Sequence, residues 1–146
     1  VDGYTGFTQV RRVDILHDVG QSINEGVNRG QIEGGFVQGM GWLTTEQLVW
    51  DAEGRLLTHS PDTYKIPAIG DVPKEFRVNF DEGTSGPTAA VKGSKAVGEP
   101  PLMLAISVRE AIKDAVAGFG GEGPVELASP STGEAVFQAV QKRRNA

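Results

Sequence analysis

One carboxylate lies in a setting that suits acid–base chemistry. Glu99 stands between Gly98 and the pair Pro100-Pro101, directly before the apolar run at 102–106. Proline fits the first turn of a helix, because its φ is fixed and it has no N–H that needs a partner there. Proline also disfavours the α region for the preceding residue, so the sequence predicts an extended backbone at Glu99. The stretch therefore indicates a carboxylate held rigidly where a loop meets a helix.

A simpler interpretation of Glu99 is a solvated glutamate near a helix N-terminus, where negative charge is favourable in any case. Composition alone favours this interpretation, since most carboxylates in loops only face water. The choice between the two depends on motifs elsewhere in the chain.

The composition of the 146-residue chain narrows the classes of function. A net charge of −5, with no basic cluster longer than Lys142-Arg143-Arg144, argues against a nucleic-acid partner. No apolar run reaches membrane-spanning length, so no membrane partner is expected. The sequence has no cysteine, which excludes disulfides and thiolate-bound clusters within it. His17 and His59 are far apart without a second ligand at metal spacing, so we assign no metal-ligating residue.

Hydrophobic periodicity and turn signals indicate an α+β fold, with a mixed, largely antiparallel sheet and packed helices. In chain order, the predicted elements are a strand at 7–16, a polar loop at 21–28, a helix at 29–44, a hairpin of 46–50 with 55–58, a strand at 75–80, a loop at 81–87, a short strand near 88–91, a helix at 102–117 and a last helix. The last helix opens at 131–134 (STGE), which resembles a capping box.

The helix predicted at 29–44 is rich in glycine, at positions 30, 34, 35, 39 and 41. Each glycine in a helix interior costs about 1 kcal/mol relative to alanine. Tight packing against other elements, or against a ligand, would offset that cost. The helix is also apolar nearly all round, which is typical of burial inside a larger protein.

Three blocks of the chain, in the expected order, resemble the xanthine dehydrogenase and aldehyde oxidase family of molybdenum hydroxylases. They are 18–20 (DVG) with 30–39 (GQIEGGFVQG), then 63–68 (TYKIPA), then 95–102 (KAVGEPPL). Each block alone is a weak signal, but three in order make a specific one.

The resemblance implies roles for four residues. Glu99 matches the family's catalytic glutamate, the general base that takes a proton from a hydroxide on molybdenum. Gln31 matches the glutamine that hydrogen-bonds the molybdopterin cofactor, and its amide both donates and accepts, which suits a flat heterocycle of mixed polarity. The alternative for Gln31 is an ordinary helix-surface glutamine. Gly98 lets a bulky group approach the backbone, and Lys95 is a neighbour of the cofactor's polar edge, although most lysines are simply exposed.

The resemblance also implies an oxidoreductase of xanthine dehydrogenase type that hydroxylates a purine or related heterocycle, with aldehydes as the other substrate class. FAD and iron–sulfur clusters are then expected on other domains or subunits, and the expected location is the cytoplasm. The chain starts at an apparent hairpin tip, so we expect 1–146 to be a single C-terminal fragment of a molybdenum-cofactor-binding domain. Its expected partner is the remainder of that subunit. Alone, the fragment is expected to be inactive.

The rival hypothesis is a non-catalytic, independently folded interaction or assembly module. A first strand without its partner and a glycine-rich apolar helix would leave a sheet edge and apolar surface exposed. Such surface also predicts that the fragment self-associates.

Overall fold

The computed structural model describes residues 1–81 and 89–145. Their helices and strands are β1 (Arg12–His17), α1 (Glu25–Thr44), β2 (Glu75–Phe80), α2 (Pro100–Leu104), α3 (Ile106–Ala117) and α4 (Gly133–Arg144), with short 3₁₀ helices at Ile69–Asp71 and Val91–Gly93. The predicted loop at 81–87 lies outside the described residues after Asp81. The strand predicted near 88–91 is wrong where it is described, because 89–90 form a turn and bend before the second 3₁₀ helix.

The sheet of the described residues has two strands, and they run parallel. β1 pairs with β2 in the register that places Ile15 opposite Val78. The predicted largely antiparallel sheet is therefore wrong. The reason is the long connection between the strands, which contains α1 and returns the chain in the same direction, as parallel strands require. Antiparallel pairing among the described residues is confined to two isolated bridges, Gly20–Ser94 and Trp50–Leu56.

α1 begins four residues before its predicted start. The Asn24 side chain accepts a hydrogen bond from the Val27 N–H at 3.0 Å, which caps the helix and converts part of the predicted loop into its first turn. Ile32, Phe36 and Met40 recur every fourth residue and are buried. Val27 and Trp42, on another side of the helix, are more than half exposed, so the predicted burial of that side inside a larger protein stays a prediction.

The helix predicted at 102–117 is divided at Ala105 into α2 and α3. The Ala105 N–H donates to the Leu102 carbonyl at 3.3 Å, and the Val108 N–H donates to the Ala105 carbonyl at 2.9 Å. Both bonds join an N–H to the carbonyl three residues earlier, which is the 3₁₀ pattern. The α-helical pattern is therefore interrupted at Ala105, and α2 and α3 need not share one axis. Gly118 ends α3 as predicted.

The core lies where α1, α3, α4 and one face of the sheet meet. Phe36 of α1 packs on Phe76 of β2 with ring centroids 5.6 Å apart. Val136 and Val140 of α4 are fully buried. Thr132 caps α4 by accepting from the Ala135 N–H at 3.3 Å, which confirms the predicted start of this helix.

Candidate functional site

Two glycines of α1 allow α2 to pack directly against the helix backbone. A Cβ atom at Gly39 would lie 2.3 Å from the carbonyl oxygen of Leu102 and 2.8 Å from the Cβ of Ala105. A Cβ atom at Gly35 would lie 2.6 Å from the carbonyl oxygen of Gly98. These separations are far shorter than any van der Waals contact, so α2 and the segment before it can sit here only because both residues lack a side chain. Glu99 is thereby fixed in position relative to α1.

A second attachment holds the segment that leads to Glu99. The Lys95 ammonium contacts the Asp18 carboxylate just beyond β1, and both side chains are about one-third exposed, at 32% and 35%. The backbone reinforces the pair, because the Lys95 N–H donates to the Val19 carbonyl at 2.9 Å and the Gln21 N–H donates to the Gly93 carbonyl at 3.0 Å. The first and third sequence blocks are thus joined by a short antiparallel contact.

Glu99 itself has a helical backbone, with φ −82° and ψ −43°. The predicted extended conformation is therefore wrong. The Leu102 N–H donates to the Glu99 carbonyl at 3.1 Å, so the first turn of α2 already closes on Glu99, and this outweighs the usual preference of a residue before proline. The side chain is exposed, and among residues 1–81 and 89–145 no ion pair or hydrogen bond engages its carboxylate.

Gln31 lies beside this segment. A Cβ atom at Gly98 would be 3.2 Å from Gln31 Oε1, so the amide rests against the Gly98 backbone, next in sequence to Glu99. Gln31 is exposed on α1. Three predicted site residues, Gln31, Gly98 and Glu99, are therefore neighbours in the fold, while the fourth, Lys95, is directed to Asp18.

Gly30 and Gly34 lie on a different side of α1 from Gly35 and Gly39. A Cβ atom at either position would meet no described atom within 4 Å. Their side of the helix is open and adjoins Gln31 in the helical sequence. Packing within the described residues does not explain why these two positions lack side chains.

Sequence reasoning missed Asp18 as a contributor to the site. It stands in the first block that carries the resemblance, but its partner Lys95 follows 77 residues later, and no local spacing connects them.

Sequence reasoning also missed the contacts of Arg29 with β2. Its guanidinium donates to the Val78 carbonyl at the outer edge of β2 and lies 5.2 Å from the centroid of the Phe80 ring.

Comparison with known proteins shows which family has this arrangement of residues. The family model described as the molybdopterin cofactor-binding domain matches residues 1–73, which include Asp18 and the whole of α1.

The chain belongs to the molybdopterin cofactor-binding domain family.

This membership confirms the resemblance to the molybdenum hydroxylases. The chain is 44% identical over 146 residues to a xanthine dehydrogenase/oxidase of Felis catus and 46% identical over 143 residues to that of Gallus gallus. Each match covers 95% of this chain, but the chain spans only 11% and 10% of the length of these relatives.

Two solved structures share the fold. Quinoline 2-oxidoreductase from Pseudomonas putida 86 matches with a TM-score of 0.85 and 30% identity, over 98% of this chain and 18% of that one. The Cu,Mo-CO dehydrogenase matches with a TM-score of 0.83 at 23% identity, over 97% of this chain and 17% of that one, which shows a common fold alone. No helix of the described residues is long and apolar enough to cross a membrane.

The residues that the resemblance assigns to cofactor binding suit a molybdopterin chemically. The Gln31 amide offers donors and an acceptor, and no described side chain competes for it. Gly30 and Gly34 keep the adjoining helix surface free of side chains. The open surface, the amide and the unpaired Glu99 carboxylate together fit a flat polar ligand that approaches α1 from outside the described residues.

Proposed function

We propose that this chain is part of the molybdenum-cofactor-binding subunit of a xanthine dehydrogenase-like hydroxylase that oxidises a purine or a related heterocycle. The observation that carries the proposal is the neighbourhood of the exposed, unpaired Glu99 and the Gln31 amide. Family membership supplies the class of chemistry, and the xanthine dehydrogenase relatives favour a purine over an aldehyde.

Glu99 acts as the general base. It accepts, at a carboxylate oxygen, the proton that hydroxylation releases. This role requires a carboxylate without a permanent cationic partner. Among the described residues, Glu99 has no such partner. It also requires a fixed position, and the close packing of Gly98 and Leu102 against Gly35 and Gly39 supports that requirement.

Gln31 and Gly98 hold the cofactor. The Gln31 amide donates to and accepts from the pterin, and Gly98 keeps the adjacent backbone free of a side chain. Lys95 lies near the same edge, and its contact with Asp18 supports a role in holding the Glu99 segment beside the cofactor. When bound, the molybdenum–molybdopterin cofactor supplies the two-electron oxidation and the oxygen transfer.

The remaining partners are proposals of the same kind. We place FAD and iron–sulfur clusters on other domains or subunits, and the complete enzyme in the cytoplasm. Residues 1–146 form a single C-terminal fragment of the cofactor-binding domain, and its partner is the remainder of that subunit. The isolated chain is inactive and self-associates through exposed apolar side chains such as Trp50 and Ile66.

The test of function uses the complete enzyme that carries this sequence. We expect oxidation of hypoxanthine or xanthine, and a fall in turnover of at least about 10²-fold in Glu99→Gln, because general base catalysis is typically worth that much. Glu134→Gln is the matched control, since Glu134 lies on α4, where it accepts a hydrogen bond from Gln138 at 3.2 Å.

Two results would contradict parts of the proposal. Full turnover in Glu99→Gln would remove the catalytic assignment. Oxidation of aldehydes with no oxidation of purines would overturn the proposed substrate class but would not contradict the role of Glu99 as general base. For the isolated chain, oxidation of hypoxanthine or of an aldehyde would overturn the expected inactivity, and a clean monomer at micromolar concentration in sedimentation would overturn the expected self-association.

A further inference from the structure

Met103 of α2 is a large apolar side chain that is left half exposed, at 49%. It follows Glu99 by four residues, and the backbone of Glu99 is already helical. Residues four apart in a helix lie on the same face, one turn from each other. Long side chains of a helix also lean back towards its N-terminus. Met103 therefore lies on the same side of α2 as the exposed Glu99 carboxylate, and next to it.

The face of α2 that carries Met103 is turned away from α1. Pro101 faces α1, because a Cβ atom at Gly35 would lie 3.3 Å from the Cβ of Pro101. Ala105 faces α1 as well, since its Cβ would lie 2.8 Å from such an atom at Gly39. Met103 is two residues from each of them, which is about 200° around a helix of 3.6 residues per turn. Met103 thus lies nearly opposite the contact with α1.

The proposed function places the cofactor and the substrate on different sides of Glu99. Gln31 and the uncovered surface of α1 hold the cofactor, so the cofactor approaches Glu99 from the side of α1. The carbon that is hydroxylated meets the cofactor beside the Glu99 carboxylate, and the rest of the substrate extends away from α1. On that side of Glu99, the surface of α2 is the face that carries Met103.

Leu104 shows that exposure alone does not connect a side chain of α2 with the base. It is exposed to a similar degree, at 43%, but it lies on a different side of the helix. There it lines a cleft between residues 8–16 and α3, and the described lining of that cleft does not include Glu99. Its position one turn from Glu99 distinguishes Met103 from this neighbour.

The chemistry of the Met103 side chain suits contact with an aromatic ring. Methionine is flexible and its sulfur is polarisable, and sulfur makes favourable contacts with aromatic rings at about 5 Å. The Cβ atoms of residues four apart in a helix are about 5–6 Å from each other. A flat ring that reacts beside the Glu99 carboxylate is therefore within reach of the Met103 thioether. An aliphatic aldehyde has no ring with which to make this contact.

We propose that Met103 is a substrate-contacting residue, and that its thioether packs against the ring of the heterocycle that is oxidised beside Glu99. This inference deepens the proposed function and rests on it. It adds an apolar contact with the substrate to the base and to the amide that holds the cofactor. It also explains why a large apolar side chain is exposed one turn from a carboxylate.

Steady-state kinetics of three variants of the complete enzyme tests the contact. Met103→Gln keeps the length of the side chain but makes its end polar, Met103→Leu keeps it apolar, and Leu104→Gln is the matched control. For hypoxanthine we expect Met103→Gln to raise KM about tenfold, the lower value for one apolar contact in a pocket. The rate per molybdenum at saturation should not change, because the contact holds substrate and transition state alike. Met103→Leu and Leu104→Gln should keep the wild-type KM.

Equilibrium dialysis of hypoxanthine provides a measurement that does not depend on turnover. In Glu99→Gln enzyme, the addition of Met103→Gln should raise Kd about tenfold without a change in molybdenum content. An unchanged KM and Kd would overturn the proposal, as would an equal rise in Leu104→Gln. A loss of molybdenum or of stability with an unchanged KM would also overturn it, by showing that Met103 packs inside the subunit.

Failure of the proposed function gives a different pattern. If the wild-type enzyme does not oxidise hypoxanthine, both the proposed function and the role of Met103 are wrong. If Glu99→Gln keeps its full rate, only the assignment of the base is wrong, and the KM of Met103→Gln still decides whether Met103 contacts the substrate.

Discussion

The two sides of α1 use the same residue type for opposite purposes. On one side Gly35 and Gly39 touch the backbone of the Glu99 segment and of α2, so that the absence of a side chain permits packing. On the other side Gly30 and Gly34 touch no described atom within 4 Å. We call these the closed side and the open side of α1. Glycine on the closed side is explained by packing within this chain, whereas we propose that glycine on the open side leaves room for the cofactor.

The difference between the closed side and the open side predicts that Gly39→Ala has the largest effect on stability. The new Cβ would meet backbone at 2.3 Å, and backbone cannot move aside as a flexible side chain can. We expect a destabilisation of about 3 kcal/mol, at the upper end of the usual cost of overpacking. Gly34→Ala on the open side should instead stabilise α1, by up to about 1 kcal/mol from helix propensity.

Hydrogen exchange of α1 peptides in the complete, cofactor-free subunit measures both changes. Exchange should be faster in Gly39→Ala and slightly slower in Gly34→Ala. If Gly34→Ala damages α1 as much as Gly39→Ala when no cofactor is bound, the division into two sides is wrong.

The second prediction separates catalysis from cofactor binding on the same helix. In Gly35→Ala the new Cβ would press on the Gly98 carbonyl at 2.6 Å and displace Glu99. A misplacement of 1 Å can cost about 10²-fold in rate, so we expect turnover per bound molybdenum to fall by that order. Gly34→Ala should lower molybdenum content with little change in rate per molybdenum. Identical patterns in the two variants would contradict this prediction.

The third prediction concerns the attachment between Asp18 and Lys95. The pair is about one-third exposed, so a double-mutant cycle with Asp18→Ala and Lys95→Ala should give a coupling near 1 kcal/mol, the upper value for exposed pairs. Both variants should lower turnover alike by loosening the Glu99 segment. A fall in molybdenum content in Lys95→Ala alone would show that Lys95 also reaches the cofactor.

The smallest effect is expected just beyond the C-terminal end of α1. Tyr64 Oη donates to Glu46 Oε2 at 2.6 Å, and Glu46 in turn packs where a Cβ of Gly41 would lie. This hydrogen bond raises the pKa of Tyr64, with burial as a smaller cause. A raised pKa contributes stability that is complete below the unfolded-state value of about 10 and is lost as the pH rises through the folded-state value.

Unfolding of the 146-residue chain at increasing alkaline pH tests whether this contribution to stability is lost as the pH rises. Tyr64→Phe should reduce stability below pH 10 and flatten its decline above that pH. A wild-type profile that runs parallel to that of Tyr64→Phe at every pH would show that the hydrogen bond makes no contribution.

The positions of several strands and helices could be predicted from the sequence. Alternation located β2 at 75–80, the stretch 131–134 marked the start of α4 to within one residue, and the paired prolines marked the start of α2. The parallel sheet was not readable, because alternation reports which face of a strand is buried and not which strand lies beside it. The resemblance placed Gln31, Gly98 and Glu99 in one site, and the fold brings them together.

The missed features depend on contacts distant in sequence. Lys95 suggested either a cofactor neighbour or an exposed lysine, and its contact with Asp18 follows only from the return of the chain past β1. The helical backbone of Glu99 contradicts a sound local rule, because the first turn of α2 closes on its carbonyl. The two kinds of glycine in α1 look alike in sequence and differ only in what lies opposite them.

The central claim is that Glu99 performs chemistry while Gln31 holds the cofactor, and one paired measurement tests it directly. Molybdenum content and substrate turnover are determined together for Glu99→Gln and Gln31→Ala in the complete enzyme, with Gln38→Ala, exposed two turns further along α1, as the control. We predict near-normal molybdenum and at least about 10²-fold lower rate per molybdenum in Glu99→Gln. Gln31→Ala should show lower molybdenum and a near-normal rate per molybdenum. Loss of molybdenum alone in Glu99→Gln, or an unchanged rate, would contradict the claim.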